Sequence, residues 1–497
     1  MSDWSHGYDV SMGYSFGFFR EMAPDWLDFC TRLAGYEAPE RAGGKFRYLE
    51  LGSGQGFGLC LLAAANPDGE FVGVDFQPEH IAHSRNLAEA AGLTNVRFVE
   101  ADFMELAADW PEPFGSFDYV TLHGIFSWVS PELRGAVLQC LDHGTASGGL
   151  VYVSYNAHPG WLGTVPFQHF ARLIKDKSEK PATAAVDESL DLLGRLAAAR
   201  APVFQALPTL GPKIEAMKGR EKSYLVHEFL AQGWNPFWHS EVRLQFAQAS
   251  LDYVASATLA DDLVSEFLPS PLYDAVAGQQ DRELREDLQD FIINKAFRRD
   301  IFCRGPRRRA EEDSGSGTFL HQIAAPEPGA PVNFETSFGQ VTWEPQVFRS
   351  ILEATAQGPK TVDDLFRLPN PTAWQPRHVL LLMLHASMLD IRVAQPGSVE
   401  AAQRMNAVVA RAVANGAPYK QLAAANVGSG ITVDQSEMLL LDAWLESGGT
   451  ADQDGLAAGL APRLEKLGRS DAEPLDRLAA RFVNELLPRW RQLGVVA

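Results

Sequence analysis

The residues best placed to do chemistry lie in one glycine-rich segment, Tyr48-Leu49-Glu50-Leu51-Gly52-Ser53-Gly54-Gln55-Gly56-Phe57-Gly58. Glycine is needed where a backbone turns tightly and approaches a ligand to contact distance, because a Cβ would intrude. Two departures from the dinucleotide pattern G-x-G-x-x-G narrow the ligand: Phe57 stands where the third glycine belongs, and Glu50 lies two positions before the first. A carboxylate there repels a pyrophosphate and attracts a cation. Asp75 follows Gly56 by 19 residues and ends an apolar run, where a carboxylate can accept from ribose hydroxyls. Asp102 follows the next apolar run and can accept from an adenine amino group, with Phe76 and Phe103 flanking the base. Taken singly, either aspartate reads as a turn or capping residue before it reads as a ligand. Joined to Glu50, Gly52, Ser53, Gly54 and Gly56, they describe a site for an adenosyl group that carries positive charge.

S-adenosylmethionine has that chemistry, with a sulfonium, an ammonium and no phosphate; S-adenosylhomocysteine is its product. Methyl transfer is an in-line displacement, so the protein mainly holds nucleophile and donor collinear and close. Aromatic faces can host sulfonium and methylammonium groups at about 0.5–2 kcal/mol each. Tyr8, Tyr14, Phe126, Trp128, Tyr155 and Trp161 are candidates, although Trp128 reads as core before it reads as a cage. His123 is placed to hold the methionine moiety or to act as a base, the alternative being a structural histidine at a strand end. Tyr155 and Asn156 are candidate acceptor-pocket residues, the alternative being packing against the middle of the chain. His80 and His83 are spaced i, i+3 without a third ligand nearby, so they read as surface histidines and no metal is expected.

These residues fall at the ends of a regular alternation. Strand-like runs at Phe46–Leu51, Glu70–Asp75, Val96–Glu100, Phe117–His123 and Gly149–Tyr155 are separated by helical stretches at Gly56–Ala65, Pro78–Ala91 and Pro131–His143. The pattern predicts a doubly wound, Rossmann-like α/β domain over residues 1–165, with ligands beyond the carboxyl ends of its strands. Residues 166–304 read as a mostly helical middle domain, for example at Leu190–Ala199, Ser240–Leu251 and Arg282–Phe297. Charge, Ser/Gly and proline mark 305–332 as a linker. Residues 333–497 read as a small, mostly α domain, with a winged-helix-like interaction domain as one form of it.

Composition bounds the partners. The 497 residues carry 43 basic and 63 acidic side chains, and residues 1–165 hold 8 basic against 21 acidic ones. That field disfavours nucleic acid and anionic lipid, and it suits a cationic ligand. No stretch approaches the ~18 consecutive apolar residues of a membrane span. The start, MSDWSHGYDV, has neither the basic nor the apolar region of a secretory signal, so a cytoplasmic protein is expected. Cys30, Cys60, Cys140 and Cys303 read as reduced, mostly buried thiols. The arginines from Arg298 to Arg309 read as a solvated boundary that pairs with acidic neighbours.

The segment from Glu50 to Asp102 resembles motifs I to III of the class I S-adenosylmethionine-dependent methyltransferases. Further strings resemble the branch of that family carrying a methyltransferase regulatory domain. They are Tyr8-Asp9 with Tyr14-Ser15, His123-Gly124-Ile125-Phe126-Ser127-Trp128-Val129, Tyr152-Val153-Ser154-Tyr155-Asn156, Tyr224-Leu225-Val226-His227-Glu228 and Phe297-Arg298-Arg299. The branch includes bacterial lysine methyltransferases that modify outer-membrane proteins. The resemblance therefore implies a protein substrate with accessible lysines, and Tyr8 and Tyr14 as further donor contacts. The sequence departs from the branch at Phe16–Phe19, where a proline-containing turn is the pattern. Two other functions compete: a small-molecule N- or O-methyltransferase with the middle domain as a lid, and a donor-binding regulatory protein without catalysis.

Overall fold

The computed structural model describes residues 16–309, 318–326, 329–369, 372, 374–392, 397–469 and 473–497. Tyr8 and Tyr14 lie outside the described residues. The five expected strands form: β1 (Phe46–Leu51), β2 (Gly69–Asp75), β3 (Val96–Glu100), β4 (Phe117–Leu122) and β5 (Thr145–Asn156). They pair in parallel, β3-β2-β1-β4-β5. The inner strands are largely buried on both sides because helices cover both faces; in β2 only Glu70 is exposed, whereas the edge strand β3 exposes Arg97 and Glu100. Helices α1 (Pro24–Leu33), α2 (Phe57–Ala65), α3 (Pro78–Ala90), α4 (Phe103–Ala108) and α5 (Pro131–Gly144) lie around this sheet. The strand order reverses between β1 and β4, so a crevice opens beyond their carboxyl ends.

The middle of the chain is mostly helical, as its pattern predicts, and it also contributes two strands to the sheet. Residues 165–230 do form a helical unit with its own apolar cluster around Phe167, Val186, Leu190, Ile214 and Phe229. The chain then returns to the sheet and adds β6 (Leu251–Ser256) and β7 (Phe297–Arg304), giving the seven-stranded order β3-β2-β1-β4-β5-β7-β6. β7 runs antiparallel to β5, from Asn156 opposite Phe297 to Leu150 opposite Cys303. The charged text of β7, Phe-Arg-Arg-Asp-Ile-Phe-Cys-Arg, hides a strand whose charges are paired inside the protein. The helix expected to run to Phe297 stops at Ile293, because Asn294 takes a left-handed conformation with φ 53°.

Those charges correct the reading of the arginine run. Arg298 is 3% exposed rather than solvated. Its guanidinium donates to Asp290 at 2.7 Å, Asp300 at 3.0 Å and Glu286 at 3.1 Å. Arg299 and Arg304 do pair with acids of the first domain, Glu21 at 4.0 Å and Asp142 at 3.0 Å.

The C-terminal part combines a three-stranded sheet (Phe319–Gln322, Lys360–Thr361 and Leu389–Arg392) with helices, then a helix Glu400–Ala414, a hairpin Gln421–Ala424/Ser429–Thr432 and further helices. The Thr361 hydroxyl caps its helix by accepting from the Asp364 amide at 3.1 Å. This part is not a tail. Helix α2 is apolar all round, Phe-Gly-Leu-Cys-Leu-Leu-Ala-Ala-Ala, and is buried on every side except at Gly58. One face meets the sheet, and the hairpin and the helix Glu400–Ala414 close over the other, so a single apolar cluster runs from Leu61 to Leu440. Asn66, just past α2, ties the two parts by donating to the Gly428 carbonyl at 2.8 Å. The four cysteines are free and buried.

Candidate active site at the carboxyl edge of the sheet

The glycine turn joins β1 to α2 at the crevice. Gly52 (φ +75°) packs so closely that a Cβ would lie 2.9 Å from Ile125 Cγ1, and at Gly56 (φ +69°) a Cβ would lie 2.5 Å from Ser84 Cβ. Those two glycines are thus demanded by the protein's own packing, while Gly54 lines the cleft itself. Asp75 does more than the sequence suggested. Its Oδ2 accepts from the Gly54 amide at 2.8 Å, and its Oδ1 accepts from the Gln77 amide at 2.9 Å. His80 Nδ1 lies 3.2 Å from Oδ1, so His80 is a buried partner of Asp75, not a surface histidine.

The cleft has two lobes that share Gly52, Gly54 and His123. One is lined by Asp75, Phe76, Asp102, Phe103, Ile125, Trp128 and Leu133. Phe76 and Phe103 thus come together as expected, with Ile125 and Leu133 added from the β4–α5 connection. Asp102 serves as the N-cap of α4, accepting from the Met104 amide at 2.6 Å. The other lobe is lined by Glu50, Ser53, Gln55, Met22 and Phe19. Ser53 Oγ is buried there with no hydrogen-bond partner among the described residues. A buried hydroxyl left unmade costs free energy, which a polar ligand atom recovers.

His123 closes the second lobe. Its ring stacks on Phe19 with centroids 3.5 Å apart, and Nδ1 lies 2.9 Å from the Tyr152 hydroxyl. Burial, with Arg299 adding to it, pushes the imidazole down to about 3. An imidazole held so low is neutral near pH 7 and a weak base, which counts against a general-base role. Tyr155 and Asn156 line neither lobe. The Tyr155 hydroxyl donates to Asp300 at 2.5 Å, and Asn156 donates to Glu228 at 2.7 Å. Both side chains are buried and pack against the middle of the chain: Tyr155 meets Asp300 of β7, and Asn156, on the opposite face of β5, meets Glu228.

Glu228 was not singled out as a site residue. Its carboxylate gathers Asn156, Trp234 and Trp128, so a middle-region side chain steadies the loop that carries Trp128 into the cleft. Phe19 was equally hidden, since only the three-dimensional path of the entry segment brings it over His123.

Residues 43–186 match the family described as "Methyltransferase domain", and residues 221–304 match "Predicted methyltransferase regulatory domain". The chain is a methyltransferase. An uncharacterized protein of Synechocystis is 29% identical over 518 residues, 99% of each chain. Demethylmenaquinone methyltransferase of Thermus thermophilus is 38% identical over 152 residues, 30% of this chain and 63% of that one. The solved structure of PKMT2 from Rickettsia typhi in complex with AdoHcy superposes with a TM-score of 0.70 at 17% identity, covering 97% of this methyltransferase and 99% of that chain. That likeness shows a common fold from end to end, including the C-terminal part.

The donor of class I methyltransferases fits the residues present: in one lobe an acid and a hydroxyl without a partner among the described residues, in the other aromatic and carboxylate side chains. Burial, with Asp75 adding to it, pushes the Glu50 carboxyl up to about 8. The ligand-free protein therefore holds a proton on Glu50 at neutral pH, and a cationic ligand favours its loss. Donor affinity should rise as pH approaches 8 and flatten above it. Calorimetry in buffers of different ionisation enthalpy should count a proton released on binding, and Glu50→Gln should remove that contribution.

Proposed function

We propose that this methyltransferase transfers the methyl group of S-adenosylmethionine to lysine amines of a protein acceptor. The observation that carries the acceptor class is a cavity of about 1550 Å³ that borders the donor lobe at Phe18 and Phe19. Pockets for small molecules hold about 300–1,000 Å³, so this space suits a polypeptide segment. Phe18 and Phe19 line both the cavity and the donor lobe, and an amine passing them meets His123. The fold likeness to PKMT2 and the resemblance to the lysine-methylating branch support the same reading, with outer-membrane proteins as the acceptors that the resemblance implies.

S-adenosylmethionine supplies an electrophilic methyl on a sulfonium centre. In this reading Asp75 holds the ribose end, Phe76 and Phe103 bracket the base, and Asp102 accepts from its amino group. Glu50 and Ser53 take the amino-acid end, and His123 orients the reacting lobe while neutral. The acceptor lysine sheds its proton to solvent as it enters a lobe walled by Phe19, Met22 and His123, where desolvation lowers its pKa. The chain's contribution is alignment and exclusion of water.

Incubation of host-cell protein with the enzyme and isotope-labelled donor, followed by peptide mass mapping, should find label on lysine side chains. Label confined to small molecules would replace this reading with a small-molecule methyltransferase, and donor binding with no label anywhere would leave a regulatory protein.

A further inference from the structure

The C-terminal part reaches the donor-binding turn through one side chain. Tyr419 lies just before the hairpin Gln421–Ala424/Ser429–Thr432 and is 8% exposed. Its ring stacks on Phe57, the first residue of α2, with centroids 4.4 Å apart and an interplanar angle of 7°. Its hydroxyl lies 2.9 Å from His83 Nε2, a contact between residues 336 apart in sequence. The other nitrogen of that ring, His83 Nδ1, lies 2.6 Å from the carbonyl oxygen of Gln55. A carbonyl can only accept, so Nδ1 donates; in the neutral ring Nε2 then accepts from the Tyr419 hydroxyl. Phe16 closes the group, with its ring 5.2 Å from His83 and 5.3 Å from Tyr419.

Gln55 is the residue between Gly54 and Gly56, both with positive φ. A turn of this composition has many backbone states open to it, and ordering it costs conformational entropy when a ligand binds. A turn already held in its binding shape avoids that cost. On one side Asp75 holds the Gly54 amide. On the other, His83 holds the Gln55 carbonyl and Tyr419 holds both His83 and Phe57.

We propose that Tyr419 is a positioning residue for the methyl donor: through His83 it fixes the Gln55 peptide of the glycine turn, and so couples the C-terminal part to donor affinity. The proposal rests on the turn being the donor site. His83 thereby has a task that its spacing along α3 did not show.

The test measures S-adenosylmethionine binding to the full chain by calorimetry, with melting temperature alongside. Tyr419→Phe keeps the stack and removes only the hydroxyl; it should raise Kd about threefold to tenfold at unchanged melting temperature. His83→Asn places an amide nitrogen near the position of Nδ1, so it keeps the Gln55 bond and loses Tyr419, and should match Tyr419→Phe. His83→Ala loses both bonds and should bind more weakly than His83→Asn. The double variant Tyr419→Phe/His83→Asn should be no weaker than the weaker single one, because both break the same link. Wild-type affinity in Tyr419→Phe overturns the proposal, as do effects that multiply in the double variant, or a drop in melting temperature with Kd unchanged. A wild-type chain that does not bind the donor overturns the site assignment instead.

Discussion

Asp75→Ala should cost about 3 kcal/mol of donor affinity, roughly a hundredfold in Kd, with a lower melting temperature as well. Two losses combine. The acceptor proposed for the ribose disappears, and the amides of Gly54 and Gln77 lose the oxygens they meet at 2.8 and 2.9 Å. Each unsatisfied buried amide costs on the order of 1–3 kcal/mol unless the turn relaxes, and relaxation moves Gly54 out of the shape that lines the cleft. Asp75→Asn offers one acceptor oxygen instead of two, so its affinity should fall between wild type and alanine. Calorimetric titration of both variants decides the matter. Equal affinity in all three proteins would place the ribose elsewhere.

The largest loss of stability is expected from Arg298→Met. Removing one member of a buried ion cluster leaves the others uncompensated, at about 3–5 kcal/mol. Asp290, Asp300 and Glu286 would all lose the guanidinium that they now share. Burial pushes Asp300 up, but Arg298 and His239 overcome it and hold its carboxyl well below the usual range. A carboxylate so depressed stabilises the fold fully above the unfolded value near ~3.9, and that stability is lost as pH falls through its folded value. Without Arg298 the burial penalty stands, so the variant should unfold at higher pH in acid titration as well as at lower temperature. Circular dichroism against pH and temperature measures both. An unshifted acid transition would show that the cluster contributes nothing net.

The first half of the sheet was legible because its physics is local. Parallel strands buried on both faces are written as apolar runs, and the turn from β1 to α2 is written in glycines. Asp75 and Asp102 were found because strand ends in this topology face one crevice. β6 and β7 were not legible: Arg298 looks like surface charge until Asp290, 8 residues away, pairs with it, and Asp300 until Arg298 and His239 meet it. Tyr155 and Asn156 stand at the expected strand end, and which of their two readings holds depends on Asp300 and Glu228, which only folding brings to them. The roles of Phe19, Glu228 and Tyr419 depend on chain segments that meet only after folding. No periodicity in their own neighbourhoods records them.

The late arrival of β7 also sets how the molecule can be made. During synthesis β5 emerges with a free edge, and it keeps that edge until roughly 150 more residues have followed, because Asn156 pairs with Phe297. An unpaired, apolar strand is a template for aggregation, and pairing across so long a loop is slow to form. A fragment cut where the methyltransferase motif ends would leave that edge open permanently. The smallest piece that closes its own sheet runs past Arg304, and α2 would still lack the cover that the C-terminal part gives it.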